Sequence, residues 1–215
     1  MTLKLYYHPL SSFCHKVLVA LYENATPFEP VVVDFFNEES AAQFKALWPI
    51  GKIPVLRDEK RDRTVPETSI IIEYLAQHYP GGVNLVSSDP DMARQIRLRD
   101  RFYDLYVNVP MQKVVTDRLR PAGQGDAYGV EEAKDRLRLA YDMIDKDMAG
   151  KTWIMGGDFT MADCAAAGAL FYANSQVPMP ATHKNAKAYL DRLLARPSYA
   201  RVMKEAEPYF KMIPK

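Results

Sequence analysis

Ile53-Pro54-Val55-Leu56, the charged turn Asp58 to Arg63, and then Thr64-Val65-Pro66-Glu67-Thr68-Ser69-Ile70 form the stretch on which the fold turns. Ile53 to Leu56 and Thr64-Val65 read as two short strands, because β-branched and apolar residues bounded by turn formers favour extended backbone. Thr68, Ile71, Ile72 and Leu75 then recur at helical spacing, so a helix follows. Working back toward the N-terminus, Leu3 to Tyr7 is a short apolar and aromatic strand. Cys14, Val17, Leu18 and Leu21 lie at i, i+3, i+4 and i+7, the stripe of an amphipathic helix. Val31, Val32 and Val33 sit in a β-branched run that reads as a buried strand. A helix near Glu39 to Leu47 stops before Pro49, since the residue before proline resists the right-handed helical region. The order β-α-β-α-β-β-α packs helices on a mixed sheet with an antiparallel end.

Pro80-Gly81-Gly82 breaks the last of these helices, and Ser87-Ser88-Asp89-Pro90 restarts the chain with a capping residue before proline at the first helical position. From there the pattern is helical. Leu98, Phe102, Leu105 and Val109 form one stripe, Ala133, Leu137, Tyr141, Ile144 and Met148 a second, and Ala186, Tyr189, Leu190, Leu193 and Leu194 a third. Glycines and prolines mark loops at Pro121 to Gly129 and Val177 to Pro180. We therefore expect an α/β domain over residues 1–80, a linker over 81–88 and an all-α domain over 89–215.

Composition narrows the function classes. Lys plus Arg number 28 against 27 Asp plus Glu, a formal +1. That balance argues for neither nucleic acid nor a membrane surface as partner. Cys14 and Cys164 are the two cysteines, too few for a disulfide framework or a four-cysteine zinc site. His8, His15, His78 and His183 lack paired-ligand spacing, so no metal is expected. MTLKLYYHPL lacks the apolar run of a signal peptide, and the expectation is a soluble, cytoplasmic protein.

Three motifs could carry chemistry. His8-Pro9-Leu10-Ser11-Ser12-Phe13-Cys14 joins the first strand to the first helix. Free N–H groups and the helix dipole there favour an anion, and a serine hydroxyl can donate to a thiolate, although serine also simply caps helices well. Trp48-Pro49-Ile50-Gly51-Lys52-Ile53-Pro54 places a proline at a strand start. It is either an ordinary turn proline or the seat of a cis bond, which would turn the Ile53 backbone toward an extended peptide ligand. Val65-Pro66-Glu67-Thr68 opens a helix with a carboxylate, a hydroxyl and free N–H groups. That set could hold an α-amino, α-carboxylate head or could merely cap.

Taken together and in this order, the three motifs resemble the thioredoxin-like N-terminal domain of cytosolic glutathione transferases, specifically bacterial, serine-type members with a theta/zeta-like motif. The helical remainder resembles that family's C-terminal domain. Ser11 stands six positions before Val17 of Lys16-Val17, as the active serine or cysteine does in those classes. Ile53-Pro54 matches the family's cis-proline signature and Glu67-Thr68 its acidic-plus-Ser/Thr pair. Gly157 to Asp163 resembles the family's folding motif, physically a capping box with Thr160 at the N-cap and Asp163 in place of the usual Glu or Gln. Two stretches depart from the pattern. Trp48-Pro49 stands where Asn-Pro is common, and Glu38-Glu39-Ser40 offers no basic residue to a glycyl carboxylate, a part that Lys52 could take.

The resemblance implies a detoxification-type transferase, usually a homodimer, that joins glutathione as co-substrate to a small apolar electrophile. The implied catalytic residue is Ser11, and the implied glutathione contacts are Ser11, Ser12, Phe13, Lys52, Ile53, Pro54, Glu67 and Thr68. Tyr103 and Tyr106 lie one residue beyond Phe102 and Leu105, an offset that could turn them into the electrophile cleft or equally into packing or a dimer contact. Cys14 falls on the apolar stripe, which favours a buried, inert thiol. Arg97, Asp100, Arg101 and Asp104 read as one solvated charged face. The alternative function is a non-catalytic binding or regulatory protein on the same fold.

Overall fold

The computed structural model describes residues 2–213. β1 (Leu3–Tyr7) leads into α1 (Ser12–Glu23), and β2 (Glu29–Val32) into α2 (Glu38–Leu47). β3 (Val55–Asp58) and β4 (Arg63–Pro66) then form a hairpin before α3 (Thr68–His78). The strands order β2-β1-β3-β4, with β1 parallel to β2 and the other pairs antiparallel. Leu5 stands opposite Leu56, which in turn stands opposite Val65, so one apolar row crosses three strands beneath the helices. This is the thioredoxin-like arrangement with its antiparallel end.

The valine run departs from expectation. β2 pairs only with β1 and forms the sheet's edge, leaving Val32 44% exposed, while the buried valine is Val33, just past the strand. β-branched residues specify extended backbone without specifying which strand is flanked on both sides.

The rest is helical: α4 (Pro90–Phe102), a π-helical segment (Tyr103–Asn108), α5 (Val109–Asp117), α6 (Ala127–Asp147), α7 (Met161–Gln176), α8 (Lys184–Ala195) and α9 (Pro197–Ala206), with a closing 3-10 turn at Glu207–Met212. Gly129 therefore lies inside α6 and outside the loop assigned to it. α7 is the hub, because its run of alanines and Gly168 lets neighbours approach closely. A Cβ on Gly168 would lie 2.6 Å from the backbone oxygen of Ser12 in α1. The α7 N-terminus is held by Asp163, whose carboxylate accepts from Thr160 N at 2.9 Å, Ile154 N at 2.9 Å and the Tyr189 hydroxyl at 2.6 Å. Among the described residues no helix is long and apolar enough to cross a membrane.

The first helical stripe is rotated from its expected position. Phe102 is buried as expected, but Leu98, Leu105 and Val109 are exposed, and the buried row runs Ile96, Asp100, Tyr103 and Val107. Asp100 lies on that buried row. An acidic residue on the core side shifts the apparent apolar face, and its burial is made tolerable by Lys16 of α1, which lies 2.6 Å away.

Candidate functional site

A cleft of about 170 Å³ opens between the two parts of the chain, lined by Phe13, Trp48, Lys52, Ile53, Pro54, Glu67, Thr68, Arg101, Asp104, Leu105 and Val109. Three separate segments supply its N-terminal wall. Phe13 comes from the first turn of α1, Trp48 and Lys52 to Pro54 from the connection between α2 and β3, and Glu67-Thr68 from the junction of β4 and α3. The Ile53-Pro54 bond is cis, as the motif suggested. Glu67 has φ +68°, in the left-handed region that non-glycine residues rarely occupy. That turn sets Glu67 at the N-cap of α3 with an exposed side chain, while Thr68 is buried. The Glu67 carboxylate has no hydrogen-bond or ion-pair partner among the described residues, and beside it lie the free N–H groups of the first α3 turn.

Ser11 is the N-cap of α1, and its Oγ accepts from Cys14 N at 3.3 Å. Capping uses a lone pair of the oxygen and leaves the O–H free to donate, so the capping and donor readings are compatible. Ser11 is half-buried, two residues ahead of Phe13, and is not itself among the residues lining the cleft. Ser12 is placed differently. It is buried, and its hydroxyl donates to Asn108 Oδ1 at 2.7 Å, tying α1 to the end of the π-helical segment.

The tyrosine pair is a correction. Tyr103 is fully buried in the helical core, so it lines no cleft. Tyr106 is 56% exposed and borders a separate hollow with Phe102, Arg136 and Met143. The wider π-helical turn and the rotated stripe present Leu105 and Val109 to the cleft in their place. A larger hollow of about 530 Å³, between Met92, Ile96, Trp153, Phe159 and Arg196, contains none of the expected site residues.

Of the expected solvated face, Arg97 and Arg101 are exposed, and the correction falls on its two aspartates. Lys16, Asp100 and Asp104 are buried at the domain junction. The Lys16 ammonium donates to Asp104 Oδ2 at 2.8 Å and to Ser69 Oγ at 2.9 Å, and Ser69 Oγ donates to Asp100 Oδ2 at 2.5 Å. Burial raises the Asp104 pKa, Lys16 opposes that shift, and Asp100 reinforces it. Asp104 and Arg101 both line the cleft wall here, across from Lys52 and Glu67, so charges of both signs face the cleft. Lys16 gave no sign of this cluster in the sequence, where Asp100 and Asp104 stand among arginines. Cys14 is fully buried, and desolvation pushes its thiol up to about 12 despite the Ser11 contact.

The chain matches the N-terminal domain of glutathione S-transferases over residues 5–82 and the C-terminal domain of glutathione S-transferases over residues 102–197. Glutathione S-transferase 3 of Zea mays is 28% identical over 208 residues, 94% of this chain and 93% of that protein. FtsZ-localized protein A of Caulobacter vibrioides is 26% identical over 212 residues, 95% of this chain and 92% of that one. Among solved structures, a glutathione transferase of Phanerochaete chrysosporium with oxidized glutathione has a TM-score of 0.86 at 20% identity, covering 98% of this chain and 97% of that chain.

Proposed function

The chain belongs to the glutathione S-transferase family, and we propose that it is a serine-type transferase joining the glutathione thiolate to a small apolar electrophile. The observation that carries this reading is the convergence of Phe13, Lys52, Ile53, Glu67 and Thr68, from distant segments, on one cleft between two helix N-termini. In this reading glutathione lies extended. Its γ-glutamyl ammonium meets Glu67, and its α-carboxylate meets Thr68 and the α3 N–H groups. Its cysteinyl backbone pairs with Ile53, and its glycyl carboxylate reaches toward Lys52.

The sulfur then sits at the α1 N-terminus near Ser11. A free thiol titrates near ~8.5, and a helix N-terminus with a hydroxyl donor lowers that value. Each unit of lowering is about 1.36 kcal/mol of preference for the thiolate. The thiol releases its proton to solvent. The sulfur lone pair forms an S–C bond to the electrophile, and the leaving group departs with its own electron pair. Leu105, Val109 and Phe13 supply apolar walls for that partner. This chemistry suits a reducing cytoplasm, and a homodimer is the assembly this reading carries with it.

A pH series with a model aryl halide tests the assignment. Ser11→Ala should raise the pH midpoint of kcat/KM while leaving glutathione binding nearly intact. Glu67→Gln should weaken binding by roughly 1.5–3 kcal/mol through loss of a charge-assisted contact, with the midpoint unmoved. An unmoved midpoint in Ser11→Ala would remove Ser11 from the reaction. A second reading, a binding or regulatory protein without turnover, draws on the similarity to FtsZ-localized protein A. Retention on immobilised glutathione with no conjugation of the aryl halide would favour it.

A further inference from the structure

The loop between β1 and α1 is fixed from two directions. Within the loop, Leu10 N donates to His8 Nδ1 at 3.2 Å and Ser11 N donates to the His8 carbonyl at 3.0 Å. From behind, His15 Nε2 lies 2.6 Å from the Pro9 carbonyl oxygen. A carbonyl can only accept, so this contact places the ring proton on Nε2 and leaves Nδ1 as an acceptor.

His15 is fully buried in the first turn of α1, its ring 5.4 Å from Tyr172 of α7 and 5.9 Å from Tyr199 of α9. Its Nδ1 and both tyrosine hydroxyls have no hydrogen-bond partner among the described residues. An aliphatic side chain would fill this face without burying an unpartnered nitrogen, so packing alone does not account for a histidine here. What an aliphatic side chain cannot do is hold the Pro9 carbonyl.

We propose that His15 is a positioning residue, its Nε2–H bond to Pro9 setting where the Ser11 hydroxyl stands and coupling the helical domain to the thiol site. The inference rests on Ser11 being the thiolate donor. Burial lowers the His15 pKa to about 4, so the ring is neutral throughout an assay range above that value. The ionisable groups around it, Cys14 beside it in α1, Tyr172 on α7 and Tyr199 on α9, are all shifted upward by burial and stay protonated.

The test compares full-length wild type, His15→Leu and His15→Gln by the pH profile of kcat/KM, glutathione affinity, and amide hydrogen exchange at Leu10 and Ser11. The glutamine amide carries a donor at about the reach of Nε2. His15→Leu should speed exchange at both amides by about fivefold, the factor one ordinary hydrogen bond is worth. It should also raise the pH midpoint with little change in affinity, and His15→Gln should return both readouts toward wild type. Unchanged exchange in His15→Leu, or His15→Gln behaving as His15→Leu does, would overturn the proposal. Should His15→Leu fail to fold, His15→Asn carries the same test, its amide being too short for Pro9. Wild-type exchange and midpoint in that variant would be equally fatal. Ser11→Ala run alongside separates the two ideas, since an unmoved midpoint there refutes the role of Ser11, whereas the exchange data judge His15.

Discussion

Replacing Lys16 with methionine keeps most of the side-chain volume and removes the ammonium that pairs with both Asp100 and Asp104. The side chains of Lys16 and Asp100 are each 1% exposed, and that of Asp104 is 7% exposed, so solvent cannot take over the role of the ammonium. Removing one partner of a buried pair costs about 3–5 kcal/mol, because the remaining charge is left uncompensated. Here two carboxylates are left, and they repel. The direction with pH follows. In Lys16→Met, burial and the like charge of Asp100 hold the folded-state Asp104 pKa above the unfolded ~3.9, with no ammonium to oppose them. Between those values the folded chain binds more protons than the unfolded one, so stability falls as pH rises. The loss should therefore be largest at pH ~8 and shrink markedly by pH ~5. Lys16→Met/Asp104→Asn should lose less than Lys16→Met alone, since it removes one of the stranded charges. Urea unfolding of both variants and wild type at the two pH values measures this. A loss below about 1 kcal/mol at pH 8, the scale of an exposed pair, would refute the buried-network account, as would a loss equal at both pH values.

Asp163→Ala leaves Thr160 N, Ile154 N and the Tyr189 hydroxyl without their acceptor, at about 1–3 kcal/mol for each buried donor. A total loss under 1 kcal/mol by urea unfolding would show that the α7 terminus is held otherwise. Cys14, with its thiol pushed to about 12 and no exposure, should react with iodoacetamide at pH 8 on the order of a thousandfold more slowly than a free thiol. Labelling of the native protein within minutes would contradict its burial. Gly168→Ala drives a methyl against the Ser12 carbonyl oxygen and His15 Cβ, at distances of 2.6 and 3.0 Å. Overpacking of this kind costs about 1–3 kcal/mol, and an unchanged melting temperature would mean that α1 and α7 can separate freely.

Local chemistry was legible from the residues alone. Asp89 before Pro90 caps α4, its carboxylate accepting from Met92 N at 2.7 Å, as capping residue plus proline requires. Asp163 closes the reciprocal bond to Thr160 N that its spacing foretold. The Ile53 to Ser69 stretch gave the hairpin and the helix after it, because strand propensity, turn residues and helical spacing act within a few residues of one another. What lay outside the sequence is the pairing of faces. Asp100 looked solvated because the cation that makes its burial possible, Lys16, is far away in the chain and reaches it only once α1 and α4 both pack on α7. In the same packing Tyr103 is buried on the core row and Leu105 and Val109 line the cleft. β2 became an edge for the same kind of reason, since strand order is decided by which surfaces meet and not by how apolar each one is. Spacing along a chain records which residues share a face, and only folding decides what that face is pressed against.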